Sequence, residues 1–82
     1  MAGAERHNDF VGRAVQTVGT ELLAQGEFAE QMVALESLTT GLFVLMICAA
    51  GKSRREADAF LSGLNAGVRE RLHEALHAQG VE

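Results

Sequence analysis

The 82-residue sequence contains no proline, tyrosine or tryptophan, and it has a single cysteine. The lone Cys48 excludes a disulfide within the chain, and its place in the apolar run 42–50 predicts an unreactive side chain in a reducing compartment. Residues 1–8 also lack the apolar stretch of a secretory signal. We therefore expect a cytoplasmic protein.

Positive charge is scarce as well, because 7 Lys and Arg residues stand against 11 Asp and Glu residues and the formal net charge is −4. Phosphate backbones bind basic surfaces, so nucleic acid is not the expected partner. A chain of this length is near the lower limit at which one hydrophobic core stabilises a fold. One domain is expected, and a partner subunit becomes a natural source of extra stability.

The absence of proline and the abundance of Ala, Leu, Glu, Gln and Arg predict an all-α protein. Residues 1–8 show no apolar periodicity and are expected to be flexible, which leaves 9–80 as a single helical domain. Asn8 or Asp9 is the expected start of the first helix, and Gly26 is its expected stop. Its apolar side is formed by Phe10, Val11, Ala14, Val15, Val18 and Leu22.

A long, very apolar central helix is predicted from about Glu27 to Ala50, with Gly51 as its stop. The third helix is predicted to start at Ser53, because Ser53 and Glu56 match a capping box, and to end before Gly80. Short connections make successive helices neighbours of opposite direction, so an up-down-up three-helix unit is expected. Glycines 41 and 63 leave open whether the second or third helix is broken.

The central helix carries more apolar surface than two neighbouring helices are expected to cover. One stripe follows four- and three-residue steps through Phe28, Met32, Leu35, Leu42, Met46 and Ala49, and another follows Ala34, Leu38, Gly41, Leu45 and Cys48. If the first and third helices cover these two stripes, Phe43, Val44 and Ile47, together with Val33, remain as an exposed patch.

This patch, Val33, Phe43, Val44 and Ile47, is the predicted partner-binding surface. It predicts a homodimer or a complex with another protein through an apolar helix face. The alternative is that the two flanking helices wrap the central one completely and leave a monomer. Insertion into a membrane is not expected, because Glu36 and three hydroxyl residues interrupt the apolar stretch and only 42–50 is continuous.

Residues 73–77 read His-Glu-Ala-Leu-His and fit the pattern H-E-x-x-H. The segment resembles the zincin family of zinc-dependent peptidases, and the resemblance extends to Gly80, where the metzincin pattern has its glycine. It would make His73 and His77 zinc ligands and Glu74 the catalytic base. The third histidine of that pattern would follow the last residue given, Glu82. We therefore interpret the match as coincidental and expect neither metal nor cofactor.

The sequence as a whole favours a small interaction protein without enzymatic activity. Its expected role is that of a regulatory adaptor or antiactivator that binds and sequesters a larger protein, such as a transcription regulator. A minimal zinc-dependent hydrolase using residues 73–77 is the alternative from a different class. A secretion chaperone or an assembly factor would use the same kind of surface.

Overall fold

The computed structural model describes residues 2–82, with side chains from Gly3 onward. These residues form three α-helices, α1 (Ala2–Leu23), α2 (Phe28–Ala50) and α3 (Arg54–Ala78), and they contain no strand. The all-α class predicted from the sequence is confirmed. Both α2 and α3 are continuous, so neither is broken at Gly41 or Gly63.

Helix α1 begins at Ala2, six or more residues before the predicted start at Asn8 or Asp9. The prediction of that start was wrong because apolar periodicity marks the face that packs, whereas a first turn needs only residues that tolerate helix. Asp9 is a helix-interior residue, and its carboxylate lies 3.1 Å from an Arg13 guanidinium nitrogen one turn later. Whether residues 1–8 are flexible stays a prediction.

The connection between α1 and α2 is tied by one side chain. Gln31, in the first turn of α2, donates its side-chain amide to the carbonyl of Gly26 at 3.0 Å and to that of Leu23 at 3.4 Å. Gly26 itself has a positive φ of 107°. The two carbonyls, one at the end of α1 and one in the loop, thus receive a hydrogen bond from a side chain where the backbone supplies no donor.

Helix α2 ends at the predicted glycine. Gly51 has a φ of 67°, in the left-handed region, and its amide donates to the Cys48 carbonyl at 3.2 Å. The next amide, of Lys52, donates to the Ile47 carbonyl at 3.1 Å. This pair of hydrogen bonds is a Schellman motif, which satisfies carbonyls that would otherwise lack partners at the helix end.

Helix α3 is held at both ends by local hydrogen bonds. The Ser53 hydroxyl accepts from the Glu56 amide at 3.1 Å, and the Glu56 carboxylate accepts from the Ser53 amide at 3.0 Å, which is the capping box that the sequence predicts. At the other end the Gly80 amide donates to the His77 carbonyl and the Val81 amide to the Leu76 carbonyl. Both ends are therefore specified within a few residues of sequence.

The internal contacts divide the chain into two units, the first ending at Phe43 and the second formed by Val44–Glu82. In the first unit α1 and the beginning of α2 lie side by side, with Ala14, Val18, Leu22, Ala34 and Leu38 half-buried. In the second unit the half-buried residues are Ile47, Ala57 and Gly67. No residue from 3 to 82 is fully buried. The predicted up-down-up arrangement, single domain and dimer stay predictions.

Candidate partner-binding surfaces

The residues of the predicted patch differ in their exposure. Val33 and Val44 are 63% and 54% exposed, whereas Phe43 and Ile47 are half-buried. Val33 and Val44 lie on the same side of α2, three helical turns apart, but Ser37 and Thr40 occupy that side between them. The predicted patch is therefore two apolar spots on α2 separated by hydroxyl side chains.

A longer apolar surface lies on another side of α2. Phe28, Met32, Leu35, Leu42 and Met46 are all exposed, and Thr39 takes the remaining place in the same series of four- and three-residue steps. We call these six residues the α2 seam. The sequence prediction assigned this stripe to the core, covered by a neighbouring helix, but Phe28 is 72% exposed and Leu42 is 52% exposed.

Helix α1 lies beside the α2 seam rather than over it. The α2 residues that are half-buried in the first unit, Gln31, Ala34 and Leu38, lie on the flank of the seam. A shallow groove runs along the edge where the two helices meet, lined by Leu22 and Leu23 from α1 and by Phe28, Met32 and Leu35 from α2. One edge of the seam is thus bordered by α1, and α1 does not cover the seam itself.

Helix α3 carries a second exposed apolar stripe. Its members recur at helical spacing and each is exposed within its own unit: Phe60, Leu61, Leu64, Val68, Leu72 and Leu76. The Lys52 ammonium lies 5.9 Å from the centre of the Phe60 ring, at the distance of a cation–π contact. This contact links the loop before α3 to the first residues of the stripe.

The histidines of the H-E-x-x-H segment lie on the polar side of α3. His73, Glu74 and His77 are all exposed, and His73 borders an open surface depression together with Ser62, Arg69 and Glu70. Among residues 2–82, no three His, Cys, Asp or Glu side chains are grouped so that they could hold a metal ion. The arrangement therefore offers the two histidines as a pair at helical spacing, without the three ligands that a catalytic zinc requires.

Helix α2 is also long and apolar enough to cross a membrane, by length and composition alone. Apolar helices that pack against protein have the same length and composition, so this property does not distinguish a bilayer from a protein partner. Glu36 lies within this helix and is exposed, as are Ser37 and Thr39. The Thr40 hydroxyl is satisfied within the helix by donating to the Glu36 carbonyl at 2.8 Å.

No family model matches this chain, and neither a curated protein nor a solved structure matches it.

Proposed function

We propose that this protein is a non-enzymatic, cytoplasmic interaction module that binds a larger protein through apolar faces of its helices. Its role is that of a regulatory adaptor or antiactivator, which sequesters a protein such as a transcription regulator. The contacting surface includes the exposed Val33 and Val44, with Phe43 and Ile47 beside them on α2. A secretion chaperone or an assembly factor would act through the same surface, and the identity of the bound protein separates these roles.

The observation that carries this proposal is the lack of a buried core among residues 3–82. Nineteen large apolar side chains between Phe10 and Val81 are more than a third exposed, so most of the large apolar side chains are only partly covered within their own unit. Burying such a side chain contributes about 1.5–3 kcal/mol. Ordering each backbone residue costs about 1–2 kcal/mol. Apolar side chains that are only partly covered within their own unit gain stability when a partner buries them.

The charge distribution supports a protein as the partner. Acidic residues outnumber basic ones, 11 to 7, and the exposed apolar side chains of α2 have Glu30 and Glu36 among them but no Lys or Arg. An anionic lipid surface or a nucleic acid would be repelled by this face. An apolar groove on another protein, able to accept helix side chains, has the matching chemistry.

The test is affinity capture of the wild-type chain and of Val44→Glu from the cells that produce it, followed by reconstitution with the purified captured protein. We expect one protein to bind the wild type stoichiometrically. Val44→Glu should weaken this binding at least tenfold, because a carboxylate placed in an apolar contact loses its hydration. Ser62→Glu, which adds the same charge on the polar side of α3, is the matched control and should bind like the wild type.

Two results would contradict the proposal. One is recovery of the wild-type chain in a membrane pellet from which alkaline carbonate does not release it, which would identify α2 as a membrane span. The other is equal binding of the wild type and Val44→Glu to every reconstituted protein, which would remove the α2 face from the contact.

A further inference from the structure

The α2 seam differs from the surface assigned above to a larger partner. The spacing of its residues is that of a heptad repeat. From Phe28 to Met46 the steps between its residues are four, three, four, three and four. A repeat of this kind places Met32, Thr39 and Met46 at one core position of a heptad and Phe28, Leu35 and Leu42 at the other. Helices with this repeat pack against each other by inserting each side chain into a hole on the facing helix.

Within the first unit, nothing covers the seam. Phe28, Met32, Leu35 and Leu42 are exposed there, although α1 half-buries Ala34 and Leu38 on the neighbouring side of α2. The seam is therefore an open edge, apolar except at Thr39, on a helix whose flank is already packed. A facing helix with the same repeat would fill it.

The polar residues on and beside the seam favour a second copy of α2 in parallel. In a parallel pair aligned in register, Thr39 faces Thr39 of the other copy, so each hydroxyl finds a hydrogen-bonding group. The flanking Glu36 then lies opposite the uncharged Gln31 of the other copy, whose side-chain amide is bonded within its own chain, rather than opposite another Glu36. In an antiparallel pair that uses the whole seam, the two Glu36 carboxylates would approach each other, and like charges at such positions are destabilising.

The area of the seam reaches the lower limit for a specific interface. Its five large apolar side chains are between about two fifths and three quarters exposed. Side chains of this size and exposure present roughly 100 Å² each, so two copies would cover about 1,000 Å² in total. A specific protein interface needs about 1,000 Å², and the adjoining groove at Leu22 and Leu23 adds to what a second copy can cover.

We propose that the α2 seam is a homodimer interface, in which α2 of a second copy packs in parallel and in register against Phe28, Met32, Leu35, Thr39, Leu42 and Met46. The proposal stands apart from the binding of a larger protein. Val33 and Val44 lie at outward positions of the same heptad and stay accessible in the dimer.

The test compares Leu42→Glu with Val44→Glu by sedimentation equilibrium over a wide concentration range. Both positions are about half exposed, at 52% and 54%, and they lie two residues apart on one helix. The same charge is therefore introduced at the seam in one variant and away from it in the other. Leu42→Glu should raise the dimer dissociation constant by on the order of 100-fold or more, because the carboxylate is desolvated at the interface. Val44→Glu should stay dimeric.

A cross-link tests the same contact without breaking it. In a Cys48→Ser background, Thr39→Cys should form a disulfide between copies under mild oxidation, because residue 39 meets itself only in a parallel pair in register. Ser37→Cys, at an outward position of the same heptad, is the matched control and should remain unlinked. This readout holds even if Leu42→Glu loses its far-UV helical signal.

Three outcomes would overturn the inference. They are a monomeric wild type at high concentration, a dimer that Val44→Glu dissociates and Leu42→Glu does not, and equal cross-linking at positions 37 and 39. A monomeric wild type that still binds a captured protein would separate the two proposals, because self-association would then fail while partner binding stands.

Discussion

The first unit and the second unit differ in how far their helices cover one another. In the first, α1 and the beginning of α2 half-bury Ala14, Val18, Leu22, Ala34 and Leu38. In the second, the apolar stripe of α3 from Phe60 to Leu76 stays exposed and only Ala57 and Gly67 of that helix are half-buried. Packing between helices therefore contributes to the stability of the first unit. The stability of α3 depends on the hydrogen bonds at its two ends and on contacts outside its unit.

The largest effect should come from placing a charge in the contact between α1 and α2. Val18 is half-buried against α2 and Val68 of α3 is 55% exposed, so Val18→Asp and Val68→Asp make the same change in the two units. We expect Val18→Asp to lower the free energy of unfolding by about 1.5–2 kcal/mol. Val68→Asp should stay within about 0.5 kcal/mol of the wild type.

Urea unfolding followed by far-UV circular dichroism, at a concentration below that of any self-association, measures this difference. An equal loss at both positions would mean that the stripe of α3 is packed in solution as closely as the contact between α1 and α2. That result would make the two units equivalent in packing.

A second pair of variants tests two glycines, one in the middle of α2 and one in the turn between α2 and α3. Gly41 and Gly51 both have open space where a Cβ would stand, but Gly51 has a φ of 67° and Gly41 lies inside α2 with no such strain. Gly51→Ala should therefore destabilise by about 1–2 kcal/mol, because an L side chain is disfavoured in the left-handed region. Gly41→Ala should stabilise by about 1 kcal/mol, through helix propensity.

Thermal unfolding of the two variants beside the wild type shows which variant is less stable and which is more stable than the wild type. A stabilising Gly51→Ala would show that the turn between α2 and α3 does not hold its left-handed conformation in solution. A destabilising Gly41→Ala would show that a partner approaches the α2 backbone closely at that position, which only glycine permits.

Local signals in the sequence predicted the ends of α2 and α3 to within a residue or two. A glycine stop and a capping box act through hydrogen bonds that span four or five residues, so their outcome does not depend on the rest of the chain. The start of α1 was not predicted from such a signal. The prediction instead relied on where the apolar side chains begin, at Phe10.

The exposed surfaces were harder to predict than the helices. The sequence shows that α2 has several apolar sides, but which of them a neighbouring helix covers depends on where α1 packs around α2. The stripe of Phe28, Met32 and Leu35 was assigned to the core, and the structure leaves it exposed while half-burying Phe43 and Ile47. Heptad spacing alone could have singled out this stripe, because helices use that repeat to pair with one another.

The most local effect should come from the cap of α3. Ser53→Ala removes the hydroxyl that accepts from the Glu56 amide at 3.1 Å, which should destabilise α3 by about 1 kcal/mol. Because α3 has few packing contacts in its unit, the loss should appear as faster amide exchange in the first turn of α3, while amides in the contact between α1 and α2 keep their rates. Ser62→Ala, in the interior of α3, is the matched control and should leave the first turn unchanged. Faster exchange throughout α1 and α2 would show instead that the two units unfold together, so that the cap of α3 also stabilises the helices that pack on each other.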